Sequence, residues 1–155
     1  MILHIPGDGE LRIKHLVLDF NGTIALDGKL QQGVRERLLH LEKLFTIYVL
    51  TADSNGSAAK ECDGLPITLQ IIGPDDQREE KRSFVSNLLP EGVAVMGNGV
   101  NDELMFRQAD LAIAIVGKEG CATATLMASH IVVNDISDGL DLLLKHHRLV
   151  PTLRK

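Results

Sequence analysis

The chain has 155 residues, 45% hydrophobic and 24% charged, which suffices for one sizeable core and falls short of two ordinary domains. Sixteen Lys and Arg against twenty-one Asp and Glu give a net charge of -5, and no segment interleaves basic residues with aromatics, so no nucleic-acid partner is expected. The longest apolar run, Leu111 to Val116, is far below the roughly 18 residues of a membrane span, so no membrane partner is expected either. The start MILHIPGDGE has no basic region ahead of an apolar run, and Cys62 and Cys121 lie outside any CxxC spacing. Both observations fit a cytoplasmic chain with neither a zinc site nor a disulfide framework.

In chain order, MILHIPGDGELRIK reads as two short alternating pieces around PGDG, a β-hairpin over residues 1–14 packed at a sheet edge or against a partner subunit. Strands follow at about 15–20 (HLVLDF), 45–50 (FTIYVL), 67–72 (ITLQII), 92–96 (GVAVM), 111–116 (LAIAIV) and 130–133 (HIVV). Between the first two, Val34, Leu38, Leu41 and Leu44 recur at helical spacing while Arg35, Glu36, Arg37 and Lys43 can face water, which predicts a helix over 34–44. Further helices are expected near 55–61, 76–89, 101–109, 120–128 and 137–145, and the tail LVPTLRK reads as mobile unless docked. The alternation predicts an α/β fold in three layers, a Rossmann-like parallel sheet with helices on both faces. All 155 residues read as one domain, its core over 15–145.

Four consecutive elements offer polar groups at one edge of that sheet. Asp19 ends the first core strand in LVLDFNGT, although an Asx turn by Asp19 or Asn21 would explain this piece alone. Thr51 lies just beyond the second strand, before a helix that Asp53 or Ser54 could cap, where its hydroxyl and the Ala52 amide could hold phosphate oxygens. Lys81 shares a helix with Phe84, Val85 and Leu88 at inward spacing, and VAVMGNGVND runs a buried strand into Gly97, Asn98, Gly99, Asn101 and Asp102. His146 and His147 are adjacent and diverge on a helix, so they do not read as metal ligands.

In order and context, DFNGT, LTADS, the Lys81 helix and GNGVND followed by QADLAIAI resemble the haloacid dehalogenase (HAD) superfamily, most nearly the phosphorylation domain of P-type ATPases, over roughly Leu16 to Val133. The resemblance implies a soluble phosphatase relative in which Asp19 is the nucleophile that forms an aspartyl phosphate. Thr51, Ala52, Lys81 and Asn101 would bind the phosphoryl group, Lys81 neutralising charge as it moves toward the leaving group. Mg²⁺ would be held by the Asp19 carboxylate, the Asn21 carbonyl, Asn98 and Asp102, with waters.

Two positions depart from the pattern of most phosphatases of the superfamily. Asn21 stands where a second Asp serves as general acid and base, work worth about 10²- to 10⁴-fold in rate. Asn98 stands where a metal-binding Asp is expected, which predicts weaker Mg²⁺ binding, with about millimolar demand. Fewer carboxylates also favour a bound phosphate dianion, since each at ~5 Å and an effective dielectric of ~20 would repel a unit of phosphate charge by about 3 kcal/mol. The expected function is a slow, Mg²⁺-dependent phosphomonoester hydrolase. The alternative is a weak or inactive homologue that binds phosphate or a phosphorylated ligand in a regulatory role.

Only ten residues, IALDGKLQQG, separate DFNGT from the Val34 helix, and the stretch from Thr51 to Lys81 is filled by a helix, a strand and a loop. No cap domain fits in either place. Capless members accept large substrates or close the site with a neighbouring subunit, so the expected partners are a phosphorylated small molecule or a phosphoprotein and, through the hairpin, a second copy of the chain.

Overall fold

The computed structural model describes residues 1–53 and 55–155. In chain order the elements are β1 (Ile2–Ile5), β2 (Gly9–Arg12), β3 (His15–Asp19), β4 (Ala25–Leu26), β5 (Lys29–Leu30), α1 (Val34–Leu41), β6 (Thr46–Thr51), α2 (Ser57–Glu61) and β7 (Thr68–Ile71). They continue with α3 (Gln77–Leu88), β8 (Val93–Gly97), a 3-10 turn (Val100–Asp102), α4 (Glu103–Gln108), β9 (Leu111–Ile115), α5 (Thr123–Met127), β10 (Ile131–Val133), α6 (Ile136–Leu144) and α7 (His146–Leu153).

All six expected core strands form one parallel sheet in the order β10-β9-β8-β3-β6-β7. Every residue of β3, β8 and β9 is buried, which is why these strands read as unbroken apolar runs rather than alternating ones. Side chains still alternate by layer. Leu16 and Leu18 join Leu38, Leu41, Leu140 and Leu143 of α1 and α6 on one face, while Val17 joins Val85, Val95, Met105 and Phe106 against α3 and α4 on the other. Arg37 of α1 reaches Asp141 of α6 at 2.8 Å, locking the two helices of the first layer together. Asp76 and Asp135 cap α3 and α6, each accepting a hydrogen bond from the backbone N–H three residues on.

The structure corrects four expectations. The first helix stops at Leu41, so Leu44 is 42% exposed and the following Phe45 takes the buried place. The helix expected over 120–128 is only the five residues of α5, and that expected over 101–109 opens with the 3-10 turn. A small hairpin, β4–β5, occupies part of the ten-residue segment IALDGKLQQG, where no element was expected, its turn made by Asp27 and Gly28, both at positive φ. The tail takes the docked alternative of the sequence reading, as α7. It packs on β1, and Lys155 N–H donates to the Pro6 carbonyl.

The N-terminal hairpin is present, with β1 and β2 antiparallel. It sits at the amino ends of the central strands instead of the sheet edge: Ile13 N–H donates to Met1 O, and Lys14 and His15 both donate to Gly92 O. Gly92 has a φ of 96°, and a Cβ there would run into the Arg12 carbonyl and stand 3.1 Å from the Ile13 Cα. Gly92→Ala is expected to cost about 2–4 kcal/mol from the left-handed backbone and the clash, a fall in Tm of roughly 5–15 °C at this size. A melt within about 2 °C of the parent would show that the hairpin is not seated this way.

Candidate active site

The carboxyl ends of β3, β6 and β8 are neighbours, so the fold brings their end residues together whatever the loops do. They open into a cleft of about 660 Å³ lined by Asp19, Asn21, Thr51, Ala52, Lys81, Asn98 and Asn101. Seven of the eight expected site residues therefore share one cavity. Asp27, Gly28, Asp53, Gln77 and Glu119 line it as well, and these were not expected there.

Its floor is a buried triad. Lys81 projects from α3 with 1% of its surface exposed, and its Nζ donates to Asp19 Oδ1 at 2.8 Å and to Asp102 Oδ1 at 2.7 Å. Asp102, the eighth residue, was expected to ligate metal and is placed otherwise. It is fully buried behind the cleft, and its Oδ2 accepts the Asn98 and Gly99 N–H groups, both at 3.0 Å. The 3-10 turn over Val100–Asp102 folds this carboxylate back under its own loop, so it fixes the lysine and the loop together.

Burial and neighbouring charge shift both Asp19 and Lys81. Burial, then the nearby Asp102 charge, raise the Asp19 carboxyl to about 7, against the pull of Lys81. Burial alone would depress Lys81, but Asp102 and then Asp19 hold it charged, well above the ordinary lysine range. Thr23 completes the floor: its hydroxyl lies 3.3 Å from Asp19 Oδ2 and 3.3 Å from Asn98 Oδ1, and its single proton can serve one at a time.

At the second strand, Thr51 is 3% exposed and its Oγ1 accepts the Asp53 N–H at 3.1 Å. Asp53 accepts from Asn55 N–H at 2.9 Å, from Ala58 N–H at 3.1 Å and from the Ser57 hydroxyl, which holds its carboxyl below the usual range. Asp53 thus accepts an N–H of the first turn of α2, although Gly56 holds the N-cap position itself, and the other cap candidate, Ser54, lies outside the described residues. Across the cleft, Asn101 Nδ2 donates to Gln77 Oε1 at 2.8 Å, tying the β8 loop to the start of α3.

Oxygen donors dominate the cleft. The Asp19 carboxylate, the Asn98 amide oxygen and the Asn21 carbonyl are hard ligands of the kind that Mg²⁺ takes together with water. Among the described residues no three acidic, His or Cys side chains form a ready cage. The donor set suits a partly hydrated hard cation and does not suit zinc or copper.

Of the residues that the sequence reading missed, Asp27 and Gly28 had a local signal, the hairpin-forming Asp-Gly pair. Thr23 is the threonine of DFNGT and reaches Asp19 from only four residues away, whereas Gln77 and Glu119 had no signal, because their approach depends on the sheet order.

No family model matches the chain. It is 50% identical over 62 residues to the uncharacterized protein MJ0073 of Methanocaldococcus jannaschii, covering 40% of this chain and 67% of that protein. It is also 52% identical over 40 residues to MJ0072 of the same organism, covering 26% of this chain and 91% of that protein. Over 126 residues it is 32% identical to the chloroplastic copper-transporting ATPase PAA2 of Arabidopsis thaliana, of which the match spans only 14%.

Among solved structures, the cobalt-bound deoxy-D-mannose-octulosonate 8-phosphate phosphatase of Haemophilus influenzae superposes with a TM-score of 0.71 at 12% identity, over 93% of this chain and 94% of that one. The 3-deoxy-D-manno-octulosonate 8-phosphate phosphatase of Moraxella catarrhalis, solved with magnesium, phosphate and sugar, gives 0.63 at 18% identity over 90% of both chains. A zinc-transporting PIB-type ATPase gives 0.65 at 21% identity over 79% of this chain and 20% of the transporter. No helix among the described residues is long and apolar enough to cross a membrane. The chain belongs to one family with the two archaeal proteins, and its fold is that of the HAD superfamily without a cap domain among the described residues.

Proposed function

We propose that the chain is a Mg²⁺-dependent phosphomonoester hydrolase that works through an aspartyl phosphate on Asp19. The observation that carries this reading is the Lys81 ammonium held at 2.8 Å from Asp19 on the floor of an open cleft. An amine so placed neutralises a phosphoryl oxygen that arrives beside the carboxylate. The solved phosphatases of the same fold, one with magnesium and phosphate, support the class of chemistry.

In this reading a carboxylate oxygen of Asp19 bonds to phosphorus as the ester P–O bond breaks and its electrons leave with the alcohol oxygen. Thr51 Oγ1 and the Ala52 N–H hold the equatorial oxygens, and Lys81 holds its proton throughout while balancing their charge. Mg²⁺, when bound, supplies further charge neutralisation at the same oxygens. Water then breaks the acyl phosphate and returns Asp19. Asn21, at the mouth, can neither protonate the leaving alcohol nor take a proton from that water, so both steps lean on solvent and the second is slow.

The substrate class is a phosphorylated small molecule or a phosphoprotein, which an uncapped cleft admits. A second reading, regulatory binding of phosphate, is favoured by the same Asn21 together with Asn98.

The test is phosphate release from an aryl phosphate with and without Mg²⁺, with acid trapping of phosphoprotein. Slow release and a trapped, hydroxylamine-sensitive phosphoenzyme are expected. Phosphate binding with neither release nor phosphoenzyme would favour the regulatory reading. Asn21→Asp is expected to raise turnover about 10²-fold by supplying the acid and base, while the trapped fraction falls. An unchanged rate would mean that proton transfer does not limit this protein.

A further inference from the structure

The loop after β9 is bound to the β8 loop by position 98. Asn98 O accepts the Ala122 N–H at 2.8 Å, and the Asn98 side-chain Nδ2 donates to Gly120 O at 3.1 Å. The second bond needs an amide. An aspartate at 98 would set a carboxylate oxygen against that carbonyl, two acceptors with no proton between them.

This clasp brings Glu119 into the cleft beside Asn98. Both side chains lie over Gly22, the turn residue after the nucleophile strand: a Cβ there would strike the Glu119 carboxylate and come 2.5 Å from Asn98 Nδ2. The φ of 79° at Gly22 excludes a side chain on conformational grounds as well, so the space is kept for these two groups. The amide at 98 therefore comes with a carboxylate next to it, delivered from another strand end.

We infer that Glu119 is an acidic ligand of the cation that this site takes, supplying from the β9 loop the charge that Asn98 lacks. The inference rests on the proposed divalent-cation-dependent function. The other expected acid, Asp102, cannot serve while it is fully buried and engaged by Lys81 and two backbone N–H groups. Asp19, Lys81 and Asp102 together carry one negative charge, and Glu119 adds a second on the Asn98 side of the cleft, where Asp27 and Asp53 also line the wall. The weak Mg²⁺ binding expected from Asn98 alone is thereby offset.

The test is equilibrium binding of Mn²⁺ by electron paramagnetic resonance, with Mg²⁺ competition and without substrate. Glu119→Gln is expected to weaken Mn²⁺ binding about tenfold or more, because ligand charge sets affinity, with the melting temperature unchanged at this exposed position. Asn98→Asp alone is expected to gain little, since it breaks the clasp and repels Glu119. In the Glu119→Gln background the same substitution is expected to restore affinity, a reversal that general destabilisation would not produce.

Lys118→Gln alters the local charge at the adjacent residue by one unit of the opposite sign and is expected to change affinity less than about twofold in either direction. An effect at Lys118 as large as that at Glu119, or parent affinity in Glu119→Gln, overturns the assignment of Glu119 alone. No Mn²⁺ binding by the parent chain overturns the cation-dependent function beneath it.

Discussion

Asp19→Asn is expected to reduce Mg²⁺-dependent phosphate release to background, to abolish the trapped phosphoenzyme, and to make the protein more stable at pH 8. The first two outcomes follow from removing the nucleophile; the third follows from burial. The Asp19 carboxyl is raised to about 7 in the folded chain from a reference value of 3.8. The folded state thus holds this proton more tightly than the unfolded state does. Stability from this group is full below about pH 4, falls as pH rises toward 7, and is flat above.

Asparagine keeps an oxygen to accept from Lys81 and carries no charge to desolvate. Expected gains are about 2–4 kcal/mol at pH 8 in chelator and less than half of that at pH 5, or roughly 5–15 °C in Tm at the higher pH. Melts at both pH values alongside the release assay check it. An inactive variant that melts lower at pH 8 would assign Asp19 to holding the fold. A stabilised, silent variant is the mark of a residue kept for chemistry at the expense of stability.

Lys81→Met is the second large effect, with the opposite sign. It leaves the Asp19 and Asp102 carboxylates facing each other, Asp102 fully buried and Asp19 largely so. Removing one partner of a buried ionic cluster costs about 3–5 kcal/mol, so Tm is expected to fall by roughly 6–20 °C at pH 8. The loss is smaller at pH 5, where Asp19 takes a proton. Adding Asp102→Asn is expected to recover at least half of the lost stability and none of the activity. Lys81→Arg is not a rescue, because a planar guanidinium cannot replace an ammonium that meets two carboxylates at 2.8 and 2.7 Å. A double variant no more stable than Lys81→Met would show that lost packing, not stranded charge, explains the single one.

The six core strands were legible because burial on both faces demands continuous apolar runs, and LVLD, VAVM and LAIAI are such runs. The cleft was legible through Asp19, Thr51, Lys81 and the GNGVND loop, whose order matches a known pattern. Division of labour within that loop was not. Spacing alone cannot show that the 3-10 turn buries Asp102 against Lys81 while Asn98 stays at the cleft.

β4 and β5 are two residues each, too short for any periodicity. The helix α7 was hidden by Pro151 within it, although Leu149 and Leu153 lie on one face and pack into the core. Glu119 carries no local sign at all. Its place follows from β9 lying next to β8, a property of the sheet and not of the segment.

β3 lies at a seam in the sheet. One edge pairs with β6, made soon after it, and the other with β8, where Leu18 meets Met96. A chain emerging from the ribosome has Asp19 and Thr51 well before it has Lys81, Asn98 or Glu119. Until β8 arrives, the nucleophile strand has an unpaired apolar edge, the kind of surface on which nascent chains misassociate. The same order of synthesis withholds the amine and the donors of the β8 loop, so an unfinished chain has a carboxylate but no place to bring a phosphoryl group to it. Closing the seam seats β8 and its loop beside Asp19 in one event, with β9 and Glu119 to follow.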